Sequence, residues 1–172
     1  QVNYASVGVG TGGHLAAVLF ATMAGLEMTH VPYKGIQQAA PDLVSGQIQL
    51  VFNAYPPLAQ FEQAGKLRLL GFTGAKRMSG YREVPTVAEA GLPGFEATGW
   101  YGIFAPAKTP REVVTRLNAE MQKVLAEPDV IERIRKVGFE PSPQSLAEAS
   151  QFVRAEAEKW GRAVRVSGAT AE

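Results

Sequence analysis

The sequence predicts an α/β fold with a largely parallel sheet flanked by helices. Three observations carry that expectation. Short apolar runs alternate with helical patterns up to about residue 105. A small-residue loop over residues 6–13 runs straight into the first helical pattern. Gly46 and Gly65 fall where helix C-caps would sit.

Residues 2–4 are the first strand candidate. Leu15, Val18, Leu19 and Met23 then recur at helical spacing, which predicts a helix over 12–24 with one apolar face. Thr29-His30-Val31 is the second strand. A helix is expected over 38–45, and Pro41 should lie near its start, because a proline inside a helix loses one hydrogen bond and clashes with the preceding turn. Residues 48–52, 67–72 and 101–104 are further strand candidates, with helices near 57–64 and 86–90 and a loop over 73–85. Three S/T-x-x-E capping boxes start at Thr86, Thr109 and Ser145. Pro110 strengthens the second as a first helical residue. The helix it opens carries Val113, Val114, Leu117, Met121, Val124 and Leu125 as a packing stripe. Pro128 and Gly138 bracket a shorter helix. A last helix over about 145–167 is expected to bury Leu146, Phe152, Val153 and Trp160. The chain thus changes character near residue 105, from strand–helix alternation to three helices that need a sheet face to dock on.

Composition narrows the function classes. A chain of 172 residues suits one domain or two small ones, and 46% hydrophobic residues is ordinary for a folded protein. The net charge is +1 and the basic residues are scattered, which argues against nucleic acid or an anionic membrane as partner. No apolar run is long enough to span a bilayer. Beginning at Gln1 without a methionine, the chain reads as a processed or truncated product. The absence of cysteine removes disulfides, thiolate metal sites and cysteine nucleophiles.

The run Ser6-Val7-Gly8-Val9-Gly10-Thr11-Gly12-Gly13-His14 is the strongest site candidate. The first amides of a helix have no internal partner and carry partial positive charge, so this terminus suits a phosphate or a carboxylate. Gly8, Gly10 and Gly13 fit G-x-G-x-x-G, but a dinucleotide site also wants an acidic residue after the next strand. Pro32-Tyr33-Lys34-Gly35 stands there instead, and no Gly-Lys-Ser or Gly-Lys-Thr occurs in the loop. The same loop also fits a turn that merely packs a helix on a sheet. Catalytic patterns are lacking: no G-x-S-x-G, no H-E-x-x-H, and only Glu27, Asp42 and Glu62 as carboxylates before residue 83. His14 reads as a helix-end hydrogen-bonding group and His30 as a structural group in a strand. The candidate polar groups, Ser6, Thr11, Tyr33 and Asn53, are neutral. They suit holding an anion rather than breaking bonds, with no metal, no cofactor and no enzymatic step.

These residues, with several motifs in order, carry a family resemblance. Ser6-x-Gly8-x-Gly10-Thr11-x-x-His14-Leu15, His30-Val31-Pro32-Tyr33-Lys34-Gly35, Asp42-Leu43-x-x-Gly46-Gln47 and Val51-Phe52-Asn53 resemble the tripartite tricarboxylate transporter receptors, also called the Bug family of periplasmic solute receptors. Ala64-Gly65-Lys66-Leu67-Arg68, Val84-Pro85-Thr86-Val87-Ala88-Glu89-Ala90-Gly91, Trp100-Tyr101-Gly102, Ala105-Pro106 and Leu117-Asn118 agree, so the similarity runs the length of the chain. Asn53 departs from the pattern, where the family often has a carboxylate.

The resemblance implies a two-domain periplasmic-binding-protein (Venus-flytrap) α/β receptor with the N-terminal part of its first domain missing here. Residues 1–98 would be the second, ligand-cradling domain, and residues 99–172 the segment returning to the first. It implies a periplasmic location, a carboxylate-bearing small molecule as ligand and membrane permease subunits as partners. Carried over residue by residue, the ligand would be held by the hydroxyls of Ser6 and Thr11, by the amides of Gly8, Gly10 and Gly12, and by His14, with Tyr33 lining the cleft and Asn53 facing it; a turn role is the alternative reading for Tyr33 and Asn53. Thr11→Ala is then expected to weaken carboxylate binding with little loss of stability. Its exposed edge and orphan helices would let the fragment self-associate. The rival reading is a cytoplasmic effector-binding domain of a transcription regulator, distinguished by whether a signal peptide or a helix-turn-helix precedes Gln1.

Overall fold

The computed structural model describes residues 2–169, which fall into two compact units. Unit 1 holds the residues up to Gly99 together with those from Trp160 onward, and unit 2 runs from Trp100 to Lys159.

Unit 1 opens as β1 (Val2–Ser6), α1 (Gly12–Ala24), β2 (Met28–Pro32), α2 (Ile36–Ser45) and β3 (Leu50–Val51). The three strands form a parallel sheet in the order β2-β1-β3. Tyr4 pairs with His30 on one side and with Leu50 on the other. Alternation along β1 sends successive side chains to opposite faces. Ala5 packs with Ile36 and Ala39 of α2 and with Ile48, all buried. Tyr4 faces the other way and stacks on His30 and on His14 of α1. On the α1 side a second core forms around Ala16, Phe95 and Ala97, with Phe20, Phe52 and Trp160 packed against it. Phe95 meets Phe20 edge-on at 5.9 Å, the favoured arrangement for aromatic quadrupoles.

Helix ends follow local chemistry. Gly25 closes α1 and Gly46 closes α2, both in the left-handed region that side chains with a Cβ avoid. Pro41 does not start its helix; it lies inside α2. The sheet-side burial of Ile36, Ala39 and Ala40 holds the helix together across the bond that proline cannot donate. The helix expected near 57–64 is a 3-10 turn, Pro56–Leu58, running into a short helix α3, Ala59–Gln63.

Two expected strands are absent from the described residues. In 67–72 only Phe72 pairs, through one parallel bridge to Thr86. Residues 101–104 form no regular element, with Tyr101 87% and Ile103 81% exposed. A strand needs a neighbour to exchange hydrogen bonds with, and beyond the Phe72–Thr86 bridge none of the described residues forms a ladder with them. The helix expected over 86–90 is a single capped turn. Thr86 and Glu89 exchange the reciprocal cap bonds at 2.9 and 3.1 Å, and then Gly91 turns to positive φ.

Unit 2 contains α4 (Arg111–Ala126), α5 (Pro128–Lys136) and the start of α6 (Leu146–Ser167), whose last turns group with unit 1. The Ser145–Glu148 box forms. The Thr109 box does not: Pro110 is the N-cap, without a side-chain cap bond, and the Thr109 N–H turns back to the Pro106 carbonyl. On α4, Val113, Leu117 and Val124 are exposed, so half of the expected stripe is uncovered. Leu146, expected to be buried, is 37% exposed, because it sits in the first turn of α6.

Candidate functional site

In the order β2-β1-β3, the chain leaves β1 for α1 on one face and enters β3 from α2 on the other. Open α/β sheets bind ligands at such a switch point, beyond the carboxyl ends of the strands. Residues 7–11, after β1, and Asn53, after β3, flank it.

The glycine pattern shapes this point. Gly10 has φ 77, open to glycine at little cost. Gly13 lies so close to the end of β3 that a Cβ there would come within 2.3 Å of the Phe52 carbonyl oxygen. That close approach brings the start of α1 beside the Phe52–Asn53 peptide.

Thr11 is the N-cap of α1, a position where a Thr hydroxyl normally accepts an amide of the first turn. Here it makes no cap bond. Its Oγ1 donates instead to the Gly8 carbonyl at 2.7 Å. The amides of Gly12, Gly13 and His14 have no carbonyl four residues back within the helix, and the first turn carries no acidic residue.

Ser6 is buried, and its hydroxyl is engaged within the loop. It accepts the Gly8 N–H at 3.1 Å, lies 3.0 Å from the Gly8 carbonyl and lies 2.6 Å from His30 Nε2. The Gly10 N–H donates to His14 Nδ1 at 3.1 Å. Of the amides expected to meet a ligand, those of Gly8 and Gly10 are therefore satisfied inside the loop, while Gly12 opens the helix. Asn53 is exposed, and its Nδ2 donates to the Ala54 carbonyl. Tyr33 is joined to Ser6 through its N–H, but its ring packs with the α2-side core and its hydroxyl donates to Asp42 Oδ2 at 2.7 Å. That bond, with lesser help from burial and the Asp42 charge, pushes the phenol up to about 12. The structure thus gathers Ser6, Gly8, Gly10, Thr11, Gly12 and His14 into one loop, sets Asn53 across from it, and turns the Tyr33 side chain to the other face.

The reading from sequence missed His30 as a partner of this loop. Its ring lies 4.3 Å from that of His14 and 5.0 Å from that of Tyr4. The Tyr4–His30 register and the two-residue period of strands were the available signal. Burial holds both imidazoles below their ordinary value; for His30 the neighbouring His14 charge adds to the effect. Burial therefore favours the neutral form of both rings. No Lys or Arg precedes Lys34, so the site offers uncharged donors and a helix dipole. Among the described residues no group of three His, Asp or Glu side chains is placed to hold a metal. No described helix is long and apolar enough to cross a membrane.

A family model described as tripartite tricarboxylate transporter family receptor matches residues 1–168. A protein from the tcbD–tcbE intergenic region of Pseudomonas sp. strain P51 is 41% identical over 165 residues, 95% of this chain and 49% of its own length. The structure of R. palustris Rpa4515 with adipate superposes with TM-score 0.78 at 35% identity, covering 99% of this chain and 57% of that one. MatC from Rhodopseudomonas palustris with bound malate superposes with TM-score 0.71 at 30% identity, covering 95% and 56%. The chain therefore spans about half the length of these relatives.

Proposed function

Because the chain belongs to the tripartite tricarboxylate transporter receptor family, we propose that it binds a carboxylate-bearing small molecule for such a transporter. On this reading it is an extracytoplasmic, periplasmic receptor that hands its ligand to membrane permease subunits and carries out no chemistry on it. Residues 1–98 supply the wall of the cleft that carries the cradle. One observation supports this above the others: α1 begins at a switch point with its N-cap hydroxyl turned away, leaving the first-turn amides of Gly12, Gly13 and His14 for an external anion. The adipate and malate bound by the R. palustris proteins are anions of the class such a cradle takes. Ser6 and Thr11 then act by shaping the loop, and Asn53 stands ready on the β3 side.

The test is an amide NMR titration of the chain with adipate and with malate. The Gly12, Gly13 and His14 resonances should move and saturate. A Thr11→Asp variant should abolish the effect, because its own carboxylate caps the same amides while stabilising the helix by roughly 1 kcal/mol. Shifts confined to other residues, or none at millimolar acid, overturn the assignment.

A further inference from the structure

The loop holds a titratable acceptor that the binding reading leaves unused. His14 Nδ1 takes the Gly10 N–H at 3.1 Å, so this nitrogen carries no proton and its lone pair occupies one amide of the loop. An imidazolium donates at both nitrogens and accepts at neither. Protonating Nδ1 would set two N–H groups against each other and release the Gly10 amide. Gly10, at φ 77 with nothing within 4 Å of a would-be Cβ, has the room to turn.

We propose that His14 is a positioning residue that competes with the carboxylate for the Gly10 amide, so that binding takes up a proton from solvent onto His14 Nδ1. This rests on the reading of the loop as a carboxylate cradle. The balance is one proton gained by the ring, with the Gly10 N–H exchanging one acceptor for another: the imidazole nitrogen is replaced by a carboxylate oxygen. Both consequences favour the anion, since a donor is freed and a positive charge is placed behind the helix start.

The surroundings limit the exchange to this ring. On β1, Tyr4 stacks on His14 at 6.3 Å. On β2, His30 lies 4.3 Å away, so a proton on one ring opposes a proton on the other and the pair takes up a single charge. His30 can hold its bond to Ser6 either way, as donor or as acceptor, whereas the His14 bond exists only with Nδ1 bare. Glu27, just before β2, lines the hollow that His14 and His30 share. The end of α6 and the two residues after it contribute Val166, Ser167, Gly168 and Ala169, none of them charged, and α1 carries no Asp, Glu, Lys or Arg. Burial pushes the ring below its ordinary value, which favours its neutral form in the absence of a ligand.

Two measurements test this separately from the cradle itself. Without ligand, NMR titration of the chain should find His14 as the Nε2–H tautomer at pH 7.5, and the Gly10 amide proton should shift with the same midpoint as the His14 ring. A Gly10 amide indifferent to that titration, or an Nδ1–H tautomer, overturns the proposal whatever adipate does. With adipate as probe, calorimetry between pH 7.5 and 5.5 should find tighter binding in acid, approaching about tenfold per pH unit, with proton uptake read from buffers of different ionisation enthalpy. His14→Asn, whose Oδ1 replaces Nδ1 as acceptor of the Gly10 N–H but takes up no proton, should lose the pH dependence whatever affinity it retains. Equal slopes in His14→Asn and the parent chain overturn the proposal. No adipate binding at any pH counts against the cradle reading, while the Gly10–His14 coupling still decides this one.

Discussion

Gly12 and Gly13 are neighbours in the first turn of α1, yet an alanine at each should have opposite effects. At Gly12 a Cβ meets nothing within 4 Å, and its φ is not positive. Alanine there restricts the unfolded chain and favours the helix, a gain of about 0.5–1 kcal/mol. At Gly13 the Cβ would approach the Phe52 carbonyl oxygen to 2.3 Å, and real Cβ contacts essentially never fall below 3.0 Å. The obstacle is backbone at the end of β3, so no side chain can swing aside. The helix start must lift off the strand end, at the cost of overpacking, about 1–3 kcal/mol. For a unit of roughly a hundred residues, each kcal/mol moves Tm by about 4–8 °C, so Gly13→Ala should melt roughly 8–16 °C below the parent for a cost of about 2 kcal/mol. Gly12→Ala should melt a few degrees above it. Thermal unfolding by circular dichroism, run on both variants side by side, reads the contrast. If the two shift alike in sign and size, α1 does not press on β3 and the geometry that brings Asn53 to the loop is wrong.

The buried rings and the raised phenol give two further outcomes. His14 and His30 are held below their ordinary value by burial, so the unfolded chain binds protons first as the pH falls. Their contribution is whole above the ordinary histidine value of about 6.5 and is lost as pH drops below it. Urea midpoints should therefore fall between pH 7.5 and 5.5, and a constant midpoint would contradict the burial. Tyr33 should titrate near 12 by ultraviolet difference absorbance, and Tyr33→Phe should remove that transition and cost about 1 kcal/mol through the lost Asp42 bond. Because the neutral phenol is the favoured form, this stability is present below about 10 and disappears as the pH rises toward 12.

Legibility depended on how local each feature is. The helix expected over 12–24 is found as Gly12–Ala24, since both its ends are punctuated chemically: a glycine loop before it and Gly25 in the left-handed region after it. The same S/T-x-x-E pattern had three different outcomes. Ser145 caps a long helix, Thr86 caps one turn that Gly91 ends, and Thr109 is drawn into a turn with Pro106. A capping box specifies two hydrogen bonds; the residues beyond its glutamate decide whether a helix continues. The strands at 67–72 and 101–104 failed for a different reason. Their composition suits strands, but a strand is a relation between two segments, and the partner's position is not written in either one.

The candidate site divides along the same line. That a helix opens on a glycine-rich loop is a statement about backbone, and six of the eight residues singled out for binding do lie together in that loop. The roles of their polar atoms depend on contacts between elements. Thr11 has the composition of an N-cap and the geometry of a loop brace, because the Gly8 carbonyl competes successfully for its proton. Tyr33 comes directly after β2, yet its side chain belongs to α2, because Asp42 nine residues on accepts its hydroxyl. His14 and His30 are sixteen residues apart in sequence, and only the packing of α1 against the sheet brings the two rings to 4.3 Å. On the proposed reading, the amides that meet a ligand are those of Gly12, Gly13 and His14, at the helix start where the Thr11 hydroxyl makes no cap bond. On that reading selection rests on what the protein leaves unsatisfied, and a carboxylate introduced at Thr11 should compete for the same helix start from within.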